Sequence, residues 1–520
     1  MDEGTSVMKV TVLAALLTAC AAVHPVLAQA PDTLRVAVPG NDLGTLDPDR
    51  GAATSDINIL SWMFNGLVRF PPGTADVAAI EPDLAESWTA SDDRKTWTFR
   101  IRDGVKCQAG FGDFTALDAA FSLERAMDKN RSSYFSDFAA VQSVEAPDPR
   151  TLRVVLKDRV PSLLGLVVPY HGGNMMCRKA VEAAGDDVAH KPVGTGPFTL
   201  AEYKPQQYVR LEANDAYWRG KPHVRSIVIR FILSEASRDL AFTAGEIDLE
   251  NGRYEQSWIT RMQAAPNTTV AVMGPGELHS LYLNASKPPL DNPKVREAIA
   301  HAVDRAGLVK FRGDTLAKSA TSVIPSGFLG YERMDLPRYD VAEAKRLLAE
   351  AGYKDGLTLK VIQTTLPAMM TTMQVVQSQL RAAGITLDIV PVDHPTYHAQ
   401  IRQDLSQIVY YGAARFPVAD SYLSQFFHSA AAIGAPGAIT NFAHCDAADA
   451  DITAARTEAD PAKQVAEWED AQKRIVAAGC VVPMYEMLTP WAWKSNLDIG
   501  APTTAALSLA PPISELTRFK

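Results

Sequence analysis

A mixed α/β protein of at least two lobes is the fold class expected from three features of the sequence. The chain is 520 residues long, more than a single hydrophobic core sustains. Alternating strand patterns and amphipathic helical patterns succeed one another along most of it. One stretch reads strand, helix, strand: Leu357 to Ile362, Met369 to Ala383, and Ile385 to Val390. That β-α-β unit is the mark of an α/β lobe.

The remaining elements follow in chain order. Val10 to Val23 is almost wholly apolar and then breaks at His24-Pro25. It is shorter than the roughly 20 residues a bilayer-spanning helix needs. Met8-Lys9 precedes it, and the small-residue site Val26-Leu27-Ala28 follows, so residues 1–28 read as a signal peptide cleaved before Gln29. Asp2 and Glu3 are out of place in such a leader, and translation starting at Met8 would remove them. The alternative is a lipobox, Leu17-Thr18-Ala19-Cys20, in which Cys20 becomes a lipid-modified N-terminus. Both readings put the protein outside the cytoplasm, and the expected location is the periplasm.

Strands are expected at Leu34–Val38, Trp97–Ile101, Thr151–Leu156 and Val224–Ile232, with a helix over Ala116–Met127. Ser234 caps a helix that stops at Gly245. Asn292-Pro293 starts a helix with proline at its tolerated first position, and Gly307 is expected to end it. Asp340 with Glu343 forms an aspartate version of the capping box, and the buried stripe behind it stops at Gly352. Asp460-Pro461 opens a last helix, closed by Gly479.

Composition narrows the function classes. The chain is 47% apolar and carries a net charge of −9 with no dense block of Lys or Arg. That balance argues against nucleic acid or anionic membrane as partner. Removing the leader leaves Cys107, Cys177, Cys445 and Cys480. An even number outside the cytoplasm suggests disulfides. The shortest loops pair Cys107 with Cys177 and Cys445 with Cys480; two other pairings, or free buried thiols, are open to the same residues. No CxxC or Cys/His cluster suggests zinc.

Enzyme motifs are missing: no GxSxG elbow, HExxH, P-loop or complete GxGxxG occurs. Gly194-Thr195-Gly196-Pro197 reads as a turn. Asp92-Asp93 and Asp186-Asp187 fall in polar, turn-like stretches. His394 and His398, four apart beside Asp393, could share a helical face, but Pro395 and the lack of a third ligand favour an ordinary helix start over a metal site. Tyr410, Tyr411, Phe416 and Tyr422 crowd around Arg415, and Tyr254 and Trp258 lie in another turn-rich stretch. Flat rings and a charged fork suit a ligand cleft; core aromatics and a surface arginine are the plainer reading.

Several segments resemble a known family in its own order. Thr45-Leu-Asp-Pro48 and Asn65-Gly-Leu-Val68 are similar to its opening. Glu81-Pro-Asp-Leu-Ala-Glu-Ser-Trp88, Trp97 to Lys106 (WTFRIRDGVK) and Phe121-Ser-Leu-Glu-Arg125 resemble its most recognisable stretch. Val193 to Phe198, Asn214 to Pro222, Gly245 to Asp248, Asn292 to Ile299 with Ala302 to Arg305, and Ala344 to Tyr353 continue the likeness. The family is the extracytoplasmic solute-binding proteins, family 5, which capture dipeptides, oligopeptides or nickel for ABC importers.

The resemblance implies a periplasmic-binding-protein type II-like fold of two lobes joined by two crossing segments, plus an extra subdomain. The expected division is residues 29–280 with 486–520 as one lobe, carrying the subdomain at about 70–190, and 281–485 as the other. The crossings fall near Leu281–Asn284 and Val482–Tyr485, and ligand is enclosed between the lobes by hinge closure. Permease and ATPase subunits are the implied partners, the protein is expected to be a monomer, and neither cofactor nor chemistry is implied. A secreted hydrolase, or an exported sensor or chaperone on the same fold, are the alternatives.

One position departs from the peptide-binding members. There, an aspartate shortly before a PxxDxxL-like stretch receives the peptide's α-amino group. Anchored on Pro417, Asp420, Tyr422 and Leu423, that position is Arg415 here. A guanidinium cannot accept a hydrogen bond and repels an ammonium. Arg415 would suit a carboxylate, as in an opine-like, acylated or otherwise modified amino acid; the alternative is an arginine pointing outward or paired with Asp420. The expected ligand-binding set is Arg415, Tyr411, Phe416, Tyr282, Tyr254, Trp258 and Thr54.

Overall fold

Thr33–Val38 is buried on both faces, with Leu34, Val36, Ala37 and Val38 wholly inaccessible, as the middle strand of a parallel arrangement must be. It pairs in parallel with Ser226–Phe231 on one side and Leu249–Asn251 on the other. The computed structural model describes Met1 and residues 32–520, apart from 52, 136, 161–162 and 435–439. The expected leader cleavage and the Cys20 lipobox lie outside the described residues.

These strands belong to a nine-stranded sheet. The hairpin Phe198–Lys204 and Tyr208–Ala213 extends it at one end; Val481–Lys494, Thr268–Leu283 and Ile408–Ala413 extend it at the other. Thr268–Leu283 and Val481–Lys494 are unusually long, and they run antiparallel in three registers, with shifts between Met273 and Glu277 and between His279 and Ser280. Thr268 to Met273 pairs with Lys494 to Thr489, whereas Glu277 to Tyr282 pairs with Met487 to Val481. Gly274-Pro275-Gly276 on one strand faces Leu488 on the other, so the ladder bends there. On one side of the bend Met273, Trp491 and Trp493 join the core built around Thr33–Val38. On the other, Leu281, Leu283, Val482 and Met484 join a second core.

That second core holds the expected β-α-β unit. Leu357–Thr364 and Ile385–Val392 pair in parallel, connected by the helix Pro367–Ala382. Beyond it, a four-stranded antiparallel sheet (Ala85–Ala90, Thr96–Ile101, Thr151–Leu156, Val141–Asp148) packs on the helix Ala116–Met127. Its core is continuous with residues from the 409–480 region, including Phe416, Tyr422 and Phe426.

The helix starts obey local chemistry. Ser234, Asn292, Asp340 and Asp460 each accept a hydrogen bond from a backbone N–H of the first turn. Gly479 closes the last helix in the left-handed conformation. The expected helix from Asn292 to Gly307 is instead two: Pro293–Ala302 and Arg305–Arg312. Asp304 between them accepts from the Gly307 N–H and so caps the second helix. A Cβ at Gly307 would lie 2.5 Å from the Asp304 carboxylate, which makes this glycine part of a helix start. A cap three residues upstream outranks the glycine as punctuation.

Two disulfides form, Cys107–Cys177 and Cys445–Cys480, in the shortest-loop pairing. All four sulfurs lie in the same core as the four-stranded sheet. Loops of 70 and 35 residues correspond to about 4 kcal/mol each in the chain-entropy picture. Replacing either pair by serines should lower the melting temperature by several degrees and make it insensitive to reductant at that pair. A wild-type melt unchanged by reductant would show that the bridges contribute nothing.

The helix Ala116–Met127 is also tied electrostatically to the loop at Asp47 and Asp49. Arg125, on the helix Ala116–Met127, donates to Asp47 Oδ1 at 2.9 Å and Oδ2 at 2.6 Å, and to Asp49. All three side chains are over nine-tenths buried. Burial pushes the Asp49 carboxyl up to about 7; Arg125 opposes this and neighbouring Asp47 adds to it. No helix among the described residues is long and apolar enough to cross a membrane.

Candidate ligand-binding cleft

Arg415 leaves the edge strand Ile408–Ala413 just before the helix Ala419–Phe426 begins. Tyr422, on that helix, turns its hydroxyl back to donate to the Ala413 carbonyl, which fixes the helix against the strand end. Arg415 Nε donates to Gln425 Oε1 at 2.5 Å, and Nη1 donates to the Ala414 carbonyl at 2.8 Å. The guanidinium carbon stands 5.1 Å from the centre of the Phe426 ring. Among the described residues, no carboxylate lies within 4.0 Å of it. Asp420, the partner considered for it from sequence, is paired with Arg456 at 3.0 Å and accepts from the Ser424 hydroxyl at 2.9 Å.

A chain of polar contacts runs from Arg415 to Asp137 and His171. Gln425 Nε2 donates to Asp137 Oδ1 at 2.9 Å, and Asp137 Oδ2 stands 3.8 Å from His171 Nδ1. The imidazole is stacked between Tyr134 at 4.3 Å and Tyr170 at 3.8 Å. His171 holds a left-handed backbone (φ +49), a conformation uncommon outside glycine. Burial pushes its pKa down, with Asp137 opposing, so the ring is neutral at pH 7. Arg415, Phe416 and Gln425 line a cavity of about 530 Å³ together with Asp137, Tyr170 and His171. Tyr170 also lines a second cavity of about 160 Å³, walled by Trp62, Asn65 and Tyr217.

Several residues expected from sequence meet here. Phe416 packs 5.7 Å from Phe70 and against Gly165, where any Cβ would sit 2.6 Å from its ring. Tyr282 is buried behind the site, stacked 5.4 Å from Phe426. Tyr411 is half-buried, with its ring 5.2 Å from Phe442 and 6.1 Å from Phe426. Tyr254 instead packs against the core of the β-α-β unit; burial, then the Glu277 charge, pushes its phenol up to about 12.

Two others stand apart. Trp258 is a core residue, 1% exposed, with its indole N–H donating to Asp239 at 2.9 Å. Thr54 is the exposed first residue of the helix Thr54–Leu60, and among the described residues no side-chain bond or ring contact joins it to the Arg415 group. Sequence reasoning missed Asp137, Tyr170, His171, Gln425 and Glu277. Only His171-Gly172-Gly173 carried any signal, a glycine-rich turn.

The histidine pair and the glycine turn are accounted for locally. His394 and His398 begin the helix His394–Arg402, with Nε2 to Nε2 at 3.1 Å. Burial, the neighbouring His394 and Arg402 push His398 down to about 3, so that imidazole stays neutral. Among the described residues no group of three His, Cys, Asp or Glu is placed to hold a metal. Gly194 and Gly196 press against the backbone at Met63, which a Cβ on Gly196 would approach to 2.4 Å.

A sequence model for bacterial extracellular solute-binding proteins, family 5, matches residues 79–433. The chain belongs to this family. Among curated relatives, the glutathione-binding protein GsiB of Shigella flexneri serotype 5b is 30% identical over 362 residues, 68% of each chain. Among solved structures, MoaA from A. tumefaciens R10, in complex with mannopinic acid, superposes with a TM-score of 0.90. It is 45% identical, over 94% of this chain and 100% of that one. DppA from Helicobacter pylori, in complex with the peptide STSA, gives a TM-score of 0.83 at 26% identity, over 94% and 98% of the two chains.

This family 5 protein therefore has the periplasmic-binding-protein type II architecture. It is the solute-binding component of an ABC importer; such components are periplasmic, work with permease and ATPase subunits, and are not themselves enzymes.

Proposed function

We propose that this protein captures an opine-type acid, an amino acid whose nitrogen carries a sugar-derived chain, by seating a ligand carboxylate on Arg415. The observation that carries the reading is the enclosed guanidinium facing the cavity of about 530 Å³ with no carboxylate among the described residues within 4.0 Å. Enclosing a cation without a counter-charge is costly, and an arriving carboxylate supplies one through paired N–H donors. A peptide ammonium at the same place would add a second positive charge. The cavity has the size that small-ligand sites commonly have. The mannopinic acid complex of the 45% identical MoaA supports the same chemistry.

In this reading ligand closes between a lobe of residues 29–280 with 486–520, bearing the subdomain at about 70–190, and a lobe of 281–485. The bend at Gly274–Gly276 opposite Leu488 favours a hinge a few residues before Leu281 and after Tyr485. The mature protein starts at Gln29, acts as a monomer and turns nothing over.

The test is a thermal-shift panel on the mature protein: mannopinic acid, agropinic acid, glutathione, free-amino di- and tetrapeptides, and nickel. A true ligand at one hundred times its Kd adds about 2.7 kcal/mol of stability. The opine acids are expected to raise the melt and the peptides to leave it unmoved. A shift with free-amino peptides alone would overturn the proposal.

A further inference from the structure

The opposite charge to Arg415 lies across the adjoining strand. Leu278 pairs with Ala413 in the antiparallel ladder. Tyr422 donates to the Ala413 carbonyl and so holds the helix Ala419–Phe426 against this pair. Glu277 immediately precedes Leu278, and Arg415 follows Ala413 by two residues. Since paired strands run about 4.8 Å apart, the backbones bearing these two charges are neighbours. Glu277 is also the first residue after the Gly274-Pro275-Gly276 bend, where the long strand passes from one core to the other.

Glu277 is poorly provided for. Its side chain is 26% exposed, and no side chain among the described residues donates a hydrogen bond to it. The His279 Nε2 atom stands 3.6 Å away, beyond good hydrogen-bond length, and His279 Nδ1 is engaged with the Tyr410 hydroxyl at 2.9 Å. Both charges act on the same two phenols. Arg415 pulls the pKa values of Tyr170 and Tyr422 down, Glu277 pushes them up, and burial dominates in each case. The Tyr170 ring is 8% exposed, its hydroxyl makes no hydrogen bond to a described residue, and it lines both cavities.

We infer that Glu277 and Arg415 form a two-ended receptor for a zwitterionic head group, Arg415 taking the carboxylate and Glu277 a protonated amine of the same ligand. The inference rests on the carboxylate reading of Arg415 and adds the second half of the site. It narrows the ligand class. An α-amino acid with an alkylated nitrogen carries a secondary ammonium beside its carboxylate and satisfies both ends. An N-acylated amino acid or a lactam has an uncharged amide there and leaves Glu277 unmatched. Glu277 thus selects alkylated over acylated nitrogen, and the direction of the dipole is reversed from that of a site whose acidic residue stands at position 415.

The experiment is calorimetric titration of mannopinic acid and of its lactam, in which the same nitrogen is an amide, into wild type, Glu277→Gln, Glu277→Asp and Arg415→Ala. Wild type should bind mannopinic acid at least ten-fold more tightly than the lactam. Glu277→Gln should lose about ten-fold or more for mannopinic acid and stay within two-fold for the lactam. Glu277→Asp, which keeps the charge, should retain the preference for the amine. Equal losses for both compounds in Glu277→Gln, or none for either, would overturn the inference while leaving the Arg415 reading intact, provided Arg415→Ala abolishes binding. Failure of wild type to bind mannopinic acid would overturn both.

Discussion

Arg415→Ala should raise the Kd for an opine acid by about 100-fold or more while leaving the ligand-free protein as stable as wild type. Truncating one partner of a desolvated charge pair costs about 2–5 kcal/mol, and every 1.4 kcal/mol is tenfold in affinity. The ligand-free protein responds differently because the guanidinium has no carboxylate partner to lose among the described residues. It gives up the bonds to Gln425 and the Ala414 carbonyl, and with them the cost of holding a cation in an enclosed cleft. Gln425 keeps its bond to Asp137. Arg415→Lys should recover only part of the affinity, since an ammonium keeps the charge and loses the planar fork. A Kd within three-fold of wild type for Arg415→Ala would remove this residue from the site. Titration calorimetry and a ligand-free melt on the same variants separate the two effects.

The largest stability effect is expected at Arg125. Arg125→Ala removes the guanidinium that both buried carboxylates accept from, leaving only Arg50 among the described residues, 3.8 Å from Asp47, and breaking a buried pair in this way costs about 3–5 kcal/mol. The penalty should depend on pH with a definite sign. The Asp49 carboxyl is already pushed up to about 7 by burial. It therefore holds a proton in the folded state that the unfolded chain releases above about pH 4. Folded stability consequently falls as pH rises from about 4 towards 7. Removing Arg125 deletes the charge that restrains this shift, so the variant should be worse at pH 8 than at pH 5. Melts of wild type, Arg125→Ala and Arg125→Ala with Asp49→Asn at both pH values decide the point. Partial rescue by Asp49→Asn at pH 8 is expected; a penalty equal at both pH values would mean that packing, not charge, accounts for the loss.

Local chemistry was legible in the sequence wherever it acts over a few residues. The caps at Ser234, Asn292, Asp340 and Asp460, the stop at Gly479 and the strand–helix–strand unit from Leu357 all formed as read. Each depends on a side chain meeting a backbone within one turn, or on a repeat of 2 or 3.6 residues. The helix expected to run on to Gly307 had a competing local signal in Asp304 that the reading passed over. Family-ordered segments identified the architecture, and the spacing of Pro417, Asp420, Tyr422 and Leu423 singled out Arg415.

What the sequence by itself determined, then, was the class of fold, an even set of four cysteines whose shortest-loop pairing was one of three, and an arginine at position 415. Only the tertiary structure decided what surrounds that cation. Gln425 meets Asp137 across 288 residues, Asp420 is taken by Arg456, Trp258 turns into the core, and Leu278, next to Glu277, pairs with Ala413, two residues before Arg415. A charge or a ring leaves the same mark in a sequence whether it lines a cleft or fills a core. Its partner is chosen by register and packing between segments hundreds of residues apart, and no periodicity within either segment records that choice.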